Sequence, residues 1–190
     1  MIRSRSELKE YLKVEYYELY GRSNIKDKLF PPPNYSFIKR LRTFEYHYNN
    51  GGIFHKLMTF WSYYRYYKIS LKTGITIPKN SCGKGLTIYH YGSIVVNPAT
   101  IIGCNCCIMN NVNIGANQGS SLAPRIGNDV YIGPGAVIFG DVTVADGCYI
   151  GANAVVNKSI LEANSVVVGV PAKIIKQDPI HWWEKNKLKR

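Results

Sequence analysis

His90 is the residue in this chain whose type and surroundings best suit acid–base chemistry. It stands between Tyr89 and Tyr91, and Gly92 follows it. A neutral imidazole takes a proton from a hydroxyl near neutral pH, so His90 is a candidate general base. A lone histidine more often has a surface or packing role, and the spacing by itself favours that second interpretation. The chain's four histidines are His47, His55, His90 and His181.

The cysteine spacing looks like the start of a metal site, but the further ligands of such a site are missing. The run Cys104-x-Cys106-Cys107 is not completed by a second cysteine pair or a nearby histidine, so we expect structural cysteines and no metal. An odd cysteine count and the lack of an apolar N-terminal stretch predict reduced thiols in a cytoplasmic protein. The five positions are Cys82, Cys104, Cys106, Cys107 and Cys148.

The net charge of +12 lies mostly at the two ends of the chain. Residues 1–72 hold 14 Lys and Arg against 6 Asp and Glu, and residues 73–175 hold 5 against 4. Basic ends attract phosphorylated ligands, anionic lipids or nucleic acid, although a solvated positive surface explains them equally well. We expect no nucleic-acid partner. Peripheral association with the inner face of a membrane, or with a glycosyltransferase complex, stays open.

Residues 1–72 predict a helical N-terminal region. Apolar and aromatic residues recur there at helical spacing, and Pro31–Pro33 and Gly51–Gly52 break the pattern. We expect the aromatic side chains to pack against the rest of the protein. The periodic residues include Leu8, Leu12, Leu19, Phe37, Leu41, Phe44, Tyr48, Trp61, Tyr64 and Tyr67.

Beyond Gly74 the chain repeats every six residues. An aliphatic residue recurs in one register, with a single failure at Ser120, and a small or β-branched residue follows it four positions later. Three such hexapeptides make one triangular coil of short strands, with Gly, Asn or Asp where the backbone turns sharply. The aliphatic positions are Ile102, Ile108, Ile114, Ile126, Ile132, Ile138, Val144, Ile150 and Val156. The second positions are Cys106, Val112, Val130, Ala136, Val142, Cys148 and Ala154.

Two segments resemble the serine acetyltransferase family. The run from Ile88 to Ile102, with Tyr-His-Tyr followed by Gly-Ser-Ile-Val-Val, is similar to the family's segment around its catalytic histidine. Gly169-Val170-Pro171-Ala172-Lys173 is similar to the motif that closes its repeat domain. The resemblance implies a mainly β fold, a left-handed parallel β-helix with an N-terminal α-helical region. We expect a helical region at 1–72, the β-helix at 73–175 and a tail at 176–190.

The same resemblance implies an acetyl-CoA-dependent acyltransferase that works as a homotrimer. In that family the acetyl-CoA sites lie between neighbouring prisms, and the matching histidine makes His90 the general base. The expected cofactor-binding residues are Gly115, Pro134, Ala152, Asn157, Lys158, Lys173 and Lys176. Residues 116–124, where the repeat fails, form either a flap over this site or a surface excursion, and Trp182 and Trp183 are expected to cap the prism.

The chain departs from the family where an amino-acid acceptor would be held. Tyr89 stands in place of one Asp, Thr76 approximately in place of another, and Ala123 in place of a second histidine. A buried ammonium without a carboxylate is costly, so we expect a sugar hydroxyl as acceptor, in bacterial capsule or O-antigen polysaccharide biosynthesis. A serine or other amino-acid acceptor, and a non-catalytic scaffold, stay open as alternatives. The expected acceptor contacts are Tyr89, Tyr91, Asn111, Asn113 and Arg125.

Overall fold

The computed structural model describes residues 1–21 and 29–177, which form three helices followed by thirteen short strands. The helices are α1 (Arg5–Tyr20), α2 (Pro33–Tyr48) and α3 (Ile53–Thr73). The strands are β1 (Ile75–Thr76), β2 (Ile94–Val96), β3 (Ile101–Ile102), β4 (Cys107–Ile108), β5 (Asn113–Gly115), β6 (Arg125–Ile126), β7 (Tyr131–Ile132), β8 (Val137–Phe139), β9 (Thr143–Val144), β10 (Tyr149–Ile150), β11 (Val155–Val156), β12 (Ser165–Val168) and β13 (Lys173–Gln177).

The strands form a left-handed parallel β-helix with three faces. The first face is the sheet β1-β2-β5-β8-β11, the second is β3-β6-β9, and the third is β4-β7-β10-β12 with β13 added antiparallel at its end. From β2 to β11, successive strands lie on the first, second and third faces in turn. Strands at equivalent positions of successive coils therefore pair with each other. The expected fold class is confirmed.

The prism is filled by the residues that the six-residue repeat selects. Every aliphatic and every small residue of the repeat is buried, with no more than 5% of its surface exposed. The backbone turns sharply at residues with positive φ, and the non-glycine ones in the described part of the chain are all Asn or Asp, which tolerate that conformation best. They are Asn80, Asn105, Asn111, Asp129, Asn153 and Asn164.

The repeat fails at Ser120 because one coil contains an additional hexapeptide. Arg125 pairs with Thr143, 18 residues later, whereas Ile101 pairs with Arg125, 24 residues later. The additional six residues leave the prism between β5 and β6. Its exposed loop, residues 116–122, therefore interrupts the sequence pattern without disturbing the stacking of the coils.

A buried charge cluster joins the helices to the open end of the prism. Arg42 on α2 is fully buried and donates to the carboxylates of Glu15 at 2.7 Å and Glu45 at 2.9 Å. Its guanidinium also donates to the carbonyls of Cys82 at 3.0 Å and Gly83 at 2.6 Å. These carbonyls belong to the first coil of the prism, so no preceding coil offers them a partner. Arg42 supplies the hydrogen bonds that a preceding strand would otherwise make.

The prediction that the aromatic residues of the N-terminal region pack inward is wrong for α3. Phe37, Phe44 and Tyr66 are buried, but Trp61 and Tyr67 of α3 are about half exposed. The inward side of α3 buries Ser62 and Thr73 together with Tyr66, so this one aromatic residue packs inward as expected. Trp61, Tyr64 and Tyr67 face outward.

The two ends of the β-helix differ from the expected boundaries by two residues. Helix α3 ends at Thr73, where Gly74 adopts the left-handed conformation at φ 70°, and β13 continues to Gln177. The expected cap by Trp182 and Trp183 lies outside the described residues. Within residues 1–21 and 29–177, no helix combines the length and apolarity needed to cross a bilayer.

Candidate active site

His90 lies at the corner between the third and first faces, in the first coil of the prism. Thr87 bridges to Cys107 on the third face, and β2 on the first face begins at Ile94, so the turn between them carries His90. The His90 side chain is exposed, and the structure gives it no hydrogen bond or ion pair with any described residue. Its imidazole is therefore available to a substrate.

The backbone beside His90 is held by two helices. The buried Asn34 amide, at the start of α2, donates to the carbonyls of Ile88 at 2.7 Å and Tyr89 at 3.1 Å. On the other side of the turn, the Gly92 amide donates to the carbonyl of Thr73, at the end of α3, at 3.0 Å. A base is most effective when its backbone is fixed by packed elements, and these bonds provide that support.

Asn34 was not among the residues expected from the sequence. It directly follows the Pro31–Pro33 run, which marks a helix start but gives no indication of a contact 54 residues away. Its role depends on the tertiary packing of α2 against the first coil. No sequence signal at Asn34 itself would have identified it.

The turn that carries His90 is followed by an equivalent turn in each of the next three coils, and together these turns form one line along the prism axis. The turns that follow it in later coils lie between β4 and β5, between β7 and β8, and between β10 and β11, and we call this line the His90 corner. It contains Asn111, Pro134 and Ala152, all expected site residues. Adjacent strands lie about 4.8 Å apart, so Ala152, three coils later, is about 14 Å from His90 along the axis.

The expected acceptor contacts fall in three places: the His90 corner, the first face and the second face. Tyr91 is 58% exposed beside His90, and Asn111 occupies the next turn of the His90 corner at φ 60°. Asn113 projects from the first face between Val95 and Val137. Arg125 lies on the second face, on another side of the prism, so a single protomer does not bring it to His90.

Tyrosines form a flat aromatic surface on the third face, next to the His90 corner. Tyr131 and Tyr149 stack with their ring centroids 4.4 Å apart and their planes 9° from parallel. Burial raises the pKa of Tyr131, with smaller contributions from Tyr149, Cys107 and Tyr89. The stacked pair was not predicted, although its 18-residue spacing and its position before the repeat's aliphatic residue were visible in the sequence.

The expected acetyl-CoA contacts are divided between two edges of the first face and the end of the third. Pro134 and Ala152 lie on the His90 corner, whereas Gly115, Asn157 and Lys158 lie at the opposite edge of the first face, beside the extra loop. Lys173 and Lys176 belong to β13, at the end of the third face. One protomer therefore carries two separate halves of the expected set.

Four of the five cysteines are buried in the prism, and Cys104 is exposed. Cys106 and Cys148 are buried, and their thiols contact the carbonyls of Gly127 at 3.2 Å and Glu162 at 3.5 Å. Burial raises the pKa of both thiols, which keeps them protonated. Across the described ranges 1–21 and 29–177, no three His, Cys, Asp or Glu side chains are grouped as metal ligands.

Comparison with known proteins connects this fold to acetyltransferases. Residues 123–158 match the family described as bacterial transferase hexapeptide (six repeats). A serine acetyltransferase from Buchnera aphidicola is 38% identical over 103 residues, which cover 53% of this chain and 39% of that protein. The chain thus spans well under two thirds of the length of this curated relative.

Solved structures of serine acetyltransferases extend the similarity to nearly the whole chain. The enzyme from Brucella abortus superposes with a TM-score of 0.76 at 27% identity, covering 91% of this chain and 70% of that one. The same enzyme in complex with coenzyme A gives a TM-score of 0.71 over 91% of this chain and 69% of that one. The Buchnera and Brucella enzymes are both serine acetyltransferases, whereas the sequence favours a sugar hydroxyl as the acceptor.

Proposed function

We propose that this hexapeptide-repeat chain is an acetyl-CoA-dependent O-acetyltransferase with His90 as its general base. The observation that carries the proposal is the exposed, helix-supported His90 at the start of the His90 corner, with Pro134 and Ala152 further along it. The imidazole takes the proton of the acceptor hydroxyl as its oxygen attacks the thioester carbonyl. The tetrahedral intermediate then releases the CoA thiolate, which takes up the proton from the imidazolium.

The catalytic unit we propose is a homotrimer. Gly115, Asn157 and Lys158 lie on a different edge of the prism from His90, so a cofactor site that uses both sets must be formed between two protomers. Each of the three interfaces between protomers in such a trimer would combine the His90 corner of one chain with the opposite edge of the first face of another.

L-serine is the first acceptor to test, because the relatives named above are serine acetyltransferases. A sugar hydroxyl is the second candidate. It is favoured by Tyr89 in place of the family's Asp and by the stacked Tyr131 and Tyr149, because an aromatic surface suits the apolar face of a sugar ring and leaves an ammonium unpaired.

Product analysis by mass spectrometry distinguishes the two acceptors. Acetyl-CoA is incubated with L-serine, or with a panel of hexoses and N-acetylhexosamines, and the acetylated product is identified directly, because the exposed Cys104 would react with thiol reagents. We expect O-acetylserine with the wild type. An acetylated sugar with no O-acetylserine would replace the first acceptor by the second, and no acetyl transfer to any acceptor would contradict the proposed activity.

A carboxylate variant sharpens this experiment. If serine is held without the family's Asp, Tyr89→Asp should lower the KM for L-serine by about tenfold, since one charged hydrogen bond contributes about 1.5 kcal/mol or more. If a sugar is the acceptor, the same substitution should lower sugar turnover. Tyr17→Asp is the matched control, because Tyr17 is 59% exposed on α1, a helix that holds no expected acceptor contact.

A further inference from the structure

Helix α3 carries a long apolar stripe on its outer side. Six residues spaced alternately four and three apart lie within about 40° of one line along the helix, at about 100° per residue. Their exposed fractions run from 45% to 80%. The stripe consists of Ile53, Leu57, Phe60, Tyr64, Tyr67 and Leu71. It extends over most of a helix of 21 residues, which is about 31 Å long.

The polarity of α3 is inverted relative to an ordinary surface helix. The side that faces α2 and the first coil carries Ser62, Tyr66 and Thr73, all at least 92% buried. The Tyr66 hydroxyl donates to the carbonyl of Ile77 at 2.8 Å. A helix of a soluble monomer normally buries its apolar side, so an exposed stripe of this size marks a surface that binds something apolar.

The charges beside the stripe are all positive. Helix α3 contains no Asp or Glu, and its Lys56, Arg65, Lys68 and Lys72 are all exposed. On a helical projection they lie about 60° to 120° from the centre line of the stripe, on both sides of it. Long basic side chains at such flanking positions extend towards anionic headgroups while the apolar residues between them enter a bilayer.

A cationic cavity opens next to the same stripe. It has a volume of about 280 Å³, and Lys39 and Arg40 of α2 face Arg65 of α3 across it, with Trp61 at its wall. Burial and the nearby Arg65 charge lower the pKa of Arg40. Among the residues that the structure describes, those that line the cavity and carry a charge are all basic, so an anionic group is the ligand that would relieve their repulsion.

A second copy of this chain fits the stripe poorly. Two α3 helices packed side by side would bring Arg65, Lys68 and Lys72 of one chain near the same cations of the other, and α3 offers no acidic residue to pair with them. An anionic bilayer satisfies both features at once, since it is apolar inside and negative at its surface.

We propose that α3 docks this protein on the surface of an anionic phospholipid bilayer. The stripe enters the boundary between headgroups and acyl chains, the flanking lysines and Arg65 contact headgroup phosphates, and the cavity beside Trp61 accepts one of them. The helix lies in the plane of the membrane. This inference is independent of the proposed acetyl transfer, since no residue of the His90 corner takes part in it.

Vesicle co-sedimentation of the full-length protein tests the proposal. We expect binding to phosphatidylcholine vesicles containing about 30 mol% phosphatidylglycerol, at least tenfold weaker binding to pure phosphatidylcholine, and strong weakening at about 0.5 M salt. Phe60→Glu should weaken binding to the anionic vesicles by about tenfold or more, because it places a charge in the stripe that enters the bilayer. Arg65→Glu with Lys68→Glu should weaken it at least as much, at about fivefold for each cation removed.

Leu161→Glu is the matched control, because Leu161 is 74% exposed in the last coil of the second face, whereas α3 joins the prism at the first coil. It should bind vesicles like the wild type. The proposal is wrong if wild type fails to bind the anionic vesicles, or if Phe60→Glu and Leu161→Glu bind equally well. Sedimentation velocity supplies a second contradiction: a particle mass that falls with Phe60→Glu, without vesicle binding by the wild type, would assign the stripe to contacts between copies.

Discussion

Replacing His90 with alanine is expected to lower kcat by about 10²- to 10⁴-fold on the acceptor that the wild type uses. Removal of a positioned general base has an effect of this size. The stability of the protein should change little, because His90 is exposed and the structure gives it no bond to a described residue, and such surface substitutions usually stay within about 0.5 kcal/mol. Steady-state kinetics and thermal unfolding of the same preparations measure both effects.

Acetyl-CoA affinity separates a chemical role of His90 from a binding role. Since His90 acts on the acceptor proton, the variant should bind acetyl-CoA within about threefold of the wild type. A His90→Ala enzyme that keeps full activity would remove His90 from the mechanism and leave the prism without an identified base.

Replacing Arg42 with methionine is expected to lower the free energy of unfolding by about 3 to 5 kcal/mol. The substitution leaves the buried carboxylates of Glu15 and Glu45 without their partner and the carbonyls of Cys82 and Gly83 without a donor. Burial opposes the charge of Arg42, but Glu15 and Glu45 outweigh it and raise its pKa. Urea denaturation followed by circular dichroism gives the change directly.

The pH dependence of the Arg42→Met variant identifies which loss dominates. Burial already raises the pKa of Glu15 from 4.5 to about 6, against the effect of Arg42. An acid whose pKa is raised by folding stabilises the folded state at low pH, and this contribution is lost as the pH rises through the folded-state value. The defect should therefore shrink between about pH 8 and about pH 5.

A matched triple variant completes this test. Arg42→Met with Glu15→Met and Glu45→Gln removes the unpaired carboxylates, while the Gln keeps an acceptor for the Asn80 amide that Glu45 binds at 2.7 Å. It should be more stable than Arg42→Met alone. If it is not more stable, the loss of stability in Arg42→Met comes from the carbonyls of Cys82 and Gly83, which have lost their hydrogen-bond donor. The carboxylates then contribute little.

The β-helix could be predicted from the sequence because its stacking imposes a local rule. Ile108 and Ile132 fill equivalent positions of successive coils, so the period alone identifies the buried side chains. His90 was found through a motif of neighbouring residues. The handedness of the coil came from the resemblance, because general chirality rules favour right-handed crossovers.

The parts that escaped prediction all depend on contacts between distant segments. Asn34 reaches the backbone at Ile88, and the outward face of α3 depends on which side of that helix the prism accepts. Helical periodicity shows that Phe60 and Tyr64 share a side, but it does not say whether that side is buried. The choice between serine and a sugar as acceptor stays a prediction, because Tyr89 replaces the family's Asp whereas the relatives are serine acetyltransferases.

Calorimetric titration of the protein with acetyl-CoA tests the central claim most directly, using wild type, Ala152→Tyr and Ala163→Tyr. Both alanines are exposed at corners of the late coils, but only Ala152 lies on the His90 corner. The account predicts micromolar binding by the wild type, unchanged binding by Ala163→Tyr, and at least about 30-fold weaker binding by Ala152→Tyr, a loss of about 2 kcal/mol. A folded wild type that does not bind acetyl-CoA would contradict the account.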